Sequence, residues 1–73
     1  MAEASVSRVE ADIVKFKENM KRIEPCEGEE ILFEMAWRYC KDAEYNLKKG
    51  DVLTAFGCIT YAHGLIDSLK YRQ

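Results

Sequence analysis

Apolar residues fall at Val6, Val9, Ile13, Phe16, Met20 and Ile23, in alternating steps of three and four. That spacing lines one face of a helix and would scatter over both faces of a strand. Ser7 followed by Glu10 has the spacing of a capping box. Pro25 closes the segment, because the residue before a proline is steered out of helical geometry. The pattern predicts a first helix over about residues 5–23.

Glu27, Glu29 and Glu30 place negative charge where the next helix begins, as the helix dipole favours. On that helix Leu32, Ala36, Tyr39, Cys40, Ala43 and Leu47 share one side, with Glu34, Arg38, Lys41, Tyr45 and Lys48 opposite. Lys48 and Lys49 sit in its last turn, and Gly50 suits a left-handed residue just past the end. The second helix is read over about 28–49. Asp51 follows directly and suits an N-cap, so a third helix over about 51–71 starts after a very tight turn. It buries Val52, Ala55, Ile59, Ala62, Ile66 and Leu69. A turn that short forces an antiparallel hairpin. Three helices of matched length and short connections predict an all-α, up-down-up antiparallel three-helix bundle.

The chain has 73 residues, enough for one domain with a small core. So small a core leaves stability marginal and keeps self-association in view. Lys and Arg number 11 against 13 acids, a net charge of −2, and no basic run exceeds two residues. Phosphate binding wants a basic stripe, so nucleic acid is not expected as a direct partner. The start, Met1 to Ser5, is polar and lacks the apolar core of a leader, and no apolar stretch approaches the ~20 residues of a membrane span. A cytoplasmic protein with no membrane association is expected. Cys26, Cys40 and Cys58 then read as free thiols, two of them small core residues.

The stretch Gly50-Asp51…Ala55…Ile59…Ala62 echoes one helix of a tetratricopeptide unit, but a single copy cannot stack into a solenoid. His63 is the one histidine, with Asp67 a turn further on. A His–Asp pair at that spacing is a polar-site candidate, since the carboxylate could orient the ring as a general base. No nucleophile with a motif accompanies it, and a ring packed at the core edge on a backbone carbonyl explains it as well. Cys26, Cys40, Cys58 and His63 have the donor types of a zinc site but not its spacing. No glycine-rich phosphate loop is present. No catalytic residue, metal or cofactor is assigned.

Gly57 and Gly64 break the rules of the helix that carries them, since each costs about 1 kcal/mol relative to alanine. With Tyr61 between them and Ser68 beyond, they form a ridge at steps of four, three and four, away from the Ile59–Ile66 seam. Either the first helix nests in these notches, or the ridge is a face for a protein partner or a second copy. Trp37, Tyr45 and Tyr71 are further aromatics, more than so small a core readily buries, and Trp37 and Tyr45 are counted with the interaction face.

The run Trp37…Tyr39…Asp42-Ala43…Leu47…Gly50-Asp51…Ala55-Phe56-Gly57…Ile59…Tyr61-Ala62-His63-Gly64-Leu65-Ile66-Asp67 resembles the short archaeal proteins of domain-of-unknown-function family 357. Tyr61-Ala62-His63-Gly64-Leu65 is its most specific part. The resemblance implies a three-helix bundle and brings no activity with it. The helix hairpin is also loosely similar to the small helical domains that accompany minimal nucleotidyltransferases. Catalytic members of that group place an Arg before the His, and no Arg precedes His63 in the third helix. The expectation is a non-enzymatic interaction module, with a protein partner or itself as a homodimer. The alternative is an accessory or substrate-binding subunit of a nucleotide-processing enzyme such as a nucleotidyltransferase.

Overall fold

The computed structural model describes residues 5–70. Its elements are α1 (Val6–Met20), α2 (Glu30–Lys48) and α3 (Val52–Lys70). Directions follow from which side chains meet. Arg8 lies over the Phe56 ring and Phe16 meets His63, so α1 and α3 run the same way. Tyr39 meets Tyr61 beyond the 49–51 turn, so α2 runs against α3. The result is the expected up-down-up bundle of three helices.

Each boundary has a local cause. Ser5, in extended geometry, caps α1 by accepting from the Arg8 N–H at 3.2 Å. The expected box at Ser7 and Glu10 is not used, because Ser7 already lies inside the helix. α1 ends at Met20 rather than near 23, although Ile23 still folds back into the core. α2 begins at Glu30 rather than 28, because Gly28 takes a left-handed φ of 91° that no helix accommodates. Glu29 is buried, and its carboxylate turns back to accept from the Cys26 N–H at 2.8 Å.

The 49–51 joint closes one helix and opens the next. Gly50 has a φ of 88°; its N–H reaches the Leu47 carbonyl at 3.1 Å and the Asp51 N–H reaches Asn46 at 2.9 Å, a Schellman closure. The Asp51 carboxylate in turn accepts from the Thr54 N–H at 3.2 Å, capping α3. Hydrogen bonds from Thr54, its side chain first and its backbone N–H second, hold the Asp51 carboxyl below the usual range.

The core is Val9, Ile13, Phe16, Met20 and Ile23; Ala36, Cys40 and Ala43; and Ala55, Ile59, Ala62, Ile66 and Leu69. Alanines on α2 and α3 let those two helices approach closely, and larger side chains from α1 lie over them. Val6 departs from the predicted stripe and is 49% exposed. Leu32, Tyr39, Leu47 and Val52 are only partly buried. α3 also departs from the expectation that no stretch is long and apolar enough to span a membrane: Val52–Leu69 is, by length and composition. One side of it forms the centre of the core. The predicted end of α3 at 71 and the candidate aromatic Tyr71 lie outside the described residues.

Candidate functional site

His63 faces α1. Its Nε2 donates to the Asp12 carbonyl, 3.0 Å away and 51 residues distant in sequence. A carbonyl can only accept, so that nitrogen carries the proton. Its ring also stands edge-on to Phe16 at 5.6 Å and 90°, while Trp37 closes on Phe16 from α2 at 5.5 Å and 88°. Phe16 is therefore gripped by one ring from each of the other helices. No hydrogen bond joins His63 to Asp67, which is exposed on the same helix. The proposed polar pair is not assembled, and His63 ties α1 to α3.

The glycine ridge is open. Gly57, Tyr61, Gly64 and Ser68 are all exposed, and a Cβ built on Gly57 or Gly64 meets nothing within 4 Å among the described residues. α1 does not nest in these notches; it lies against the Phe56–His63 side of α3. Directly opposite the buried stripe of α3 stand Leu53, Gly57, Thr60 and Gly64, so the outward face carries no charge between 53 and 64. Leu53 is 77% exposed and Tyr61 51%. The Ser68 hydroxyl donates back to the Leu65 carbonyl at 2.8 Å.

The aromatic candidates part company. Trp37 is half-buried against Phe16 and does not belong to the ridge. Tyr45 is exposed on the outer side of α2, with the Lys49 ammonium 5.1 Å from its ring centre. The ridge instead acquires Tyr39, which periodicity assigns to the core side of α2: its ring meets Tyr61 at 4.6 Å and 61°. Leu53 also escaped the sequence reading, because one leucine at a helix start has no pattern around it.

Cys26 is exposed, Cys58 half-buried and Cys40 buried in the core. Burial pushes the Cys40 thiol up to about 11, with the nearby Glu44 carboxylate adding to the effect. Burial also raises Cys58, helped by the charges of Asp42 and Asp51. Among the described residues no group of three or more His, Cys, Asp and Glu side chains is placed to hold a metal ion.

One concavity had no sequence signal. α1 packs more on α3 than on α2, and a groove of about 520 Å³ lies between α1 and α2. Val6, Ile13, Val14 and Leu47 supply its apolar lining, with Glu10 and Lys48 on its walls. Lys17 and Glu44 bridge it at 2.7 Å. The carboxylate holds the Lys17 ammonium above its ordinary range, through the hydrogen bond first and charge second.

A family model described as "Protein of unknown function (DUF357)" matches residues 2–72. The chain belongs to that family. No curated protein matches it.

Proposed function

We propose that this family member is a non-enzymatic helical interaction module, and that its recognition surface is the outward face of α3 with a second copy as partner. The observation that carries the reading is the empty space over Gly57 and Gly64. Nothing inside the bundle needs these glycines, yet each lowers helix propensity by about 1 kcal/mol. A helix laid across them explains the choice, since missing side chains let backbones approach closely.

The face is also self-complementary. In an antiparallel pair centred between Thr60 and Tyr61, Gly57 meets Gly64 of the second copy, Leu53 meets Ser68, and Thr60 meets Tyr61. Each contact occurs twice, as a two-fold axis requires. No like charges oppose each other between 53 and 64. The Tyr39–Tyr61 ring pair flanks the strip and would anchor one rim. The alternative, a substrate-binding subunit for a nucleotide-processing enzyme, drew on His63 and Asp67; His63 is engaged on Asp12, so no observation favours it.

Sedimentation across a wide concentration range tests the reading. Wild type is expected to pass from monomer to dimer, while Gly57→Leu and Gly64→Leu stay monomeric with undiminished helical circular dichroism. A wild-type chain that stays monomeric when concentrated refutes it, as does a dimer that tolerates both leucines.

A further inference from the structure

We infer that each copy anchors the other with a leucine: Leu53 of one copy enters a hollow between α2 and α3 of the second. The inference deepens the α3 reading and rests on it. Leu53 is 77% exposed, more than any other large apolar side chain among the described residues, and its own bundle leaves it in water. Near the far end of α3 a hollow of about 310 Å³ opens between the helices, with Leu32, Ser68 and Leu69 on its walls. Leu69 is buried and Leu32 half-buried, so two of these walls are aliphatic. Glu29 borders the hollow too, but its carboxylate is turned to the Cys26 N–H.

Register brings the two together. Tyr39 meets Tyr61, and Leu32 shares the hollow with Ser68, so both pairs set the same antiparallel register of α2 on α3. In the antiparallel α3 pair centred between Thr60 and Tyr61, Leu53 of the second copy stands level with Ser68. It therefore arrives at the wall of the hollow. The two-fold axis repeats the contact, giving two leucines and two hollows about 22 Å apart along the helices. Area makes the same demand. A stable interface takes about 800 Å² from each partner, roughly 15% of the 5185 Å² that one copy exposes. A single helix face whose central residues are Gly57 and Gly64 cannot supply that alone. Seating Leu53 against Leu32 extends the contact onto α2 and takes the most exposed apolar group of α3 out of water.

Sedimentation and disulfide trapping on the full chain test this. Leu53→Ala should raise the dimer dissociation constant by roughly thirtyfold or more, because both leucines are truncated, with the helical signal and the Tm of dilute protein little changed. For trapping, Cys26 is first replaced by serine, since its N–H is held by Glu29 at the edge of the hollow. Leu53→Cys mixed with Ser68→Cys should then form a disulfide between copies on mild oxidation. Either variant alone should not, because like positions lie about 22 Å apart, beyond the ~7 Å that a disulfide spans between Cα atoms. The inference fails if Leu53→Ala leaves the dissociation constant unmoved, or if the mixture is not trapped. A disulfide in Leu53→Cys alone overturns it as well, since that requires a parallel pair. If these tests fail while Gly57→Leu still separates the copies, the α3 face stands without the leucine anchor. A wild-type chain that stays monomeric when concentrated sinks both.

Discussion

Replacing Gly57 and Gly64 together by alanine isolates the helix cost from the interface. Neither glycine has a positive φ; among the described residues only Gly28 and Gly50 do. Among the described residues an added Cβ meets nothing within 4 Å at either site. The substitution therefore adds no clash and fills no cavity, and what remains is the backbone freedom lost by the unfolded chain. That is worth about 1 kcal/mol per site. The two positions lie about 10 Å apart along the helix and should add. A gain of about 2 kcal/mol is large against a total of about 4–11 kcal/mol expected for 73 residues. At about 4–8 °C per kcal/mol for a domain this small, Tm rises by roughly 8–16 °C. The assay is thermal and urea unfolding at a dilution that holds the proposed dimer apart, with an unchanged urea m-value. In concentrated solution the proposed dimer predicts a smaller gain, because each new methyl would then stand between two backbones. A double variant with unchanged or lowered Tm in dilute solution would refute the reasoning, since it would require an internal contact at the glycines.

His63→Ala should cost about 1–3 kcal/mol from the lost Asp12 hydrogen bond and Phe16 edge contact, read as faster hydrogen exchange in α1 than in α3; equal exchange in both helices would count against it. Alkylation near pH 8 should label Cys26 first and Cys58 slowly. Cys40, buried and raised to about 11, should react only once the chain is unfolded; early labelling of Cys40 would contradict its placement. The Asp51 carboxyl is held low by Thr54, so its charge stabilises the fold above the ordinary carboxylate range and that contribution is lost as pH falls through the lowered value. Asp51→Asn keeps a capping side chain but removes the titration, and should flatten the fall in stability below about pH 4; an unaltered acid limb would mean other carboxylates set it.

Periodicity located the three helices because burial imposes it on residues such as Ile13, Phe16, Ile59 and Ile66. The Gly50–Asp51 joint was legible because its two roles each demand a residue type. Val6 departs from the stripe because periodicity reports a face and not how much of it a neighbouring helix covers. The groove escaped for the same reason: Val6, Val14 and Leu47 line it only because α1 packs more on α3 than on α2. Ser5 and Ser7 offered rival caps, and an exposed helix start has too little packing to distinguish them in advance. A His63 ring at the core edge on a backbone carbonyl was legible, but which carbonyl, that of Asp12 on α1, leaves no trace in side-chain identity. The open glycines were ambiguous until the path of α1 was known, since a notch for a neighbour and a face for a partner have the same composition.

The joint at 49–51 also orders events during folding. Asp51 completes one helix and begins the next, so the α2–α3 hairpin forms through contacts close in sequence, with almost no loop entropy to overcome. α1 reaches its place only after the 21–29 segment has turned, and its anchors Asp12 and Phe16 wait for His63 to exist in helical form. The hairpin is therefore expected to act as the nucleus, with α1 joining later. Changes at the Gly50–Asp51 joint should alter how fast the chain folds, whereas changes at the α1 contacts should chiefly alter how fast it unfolds.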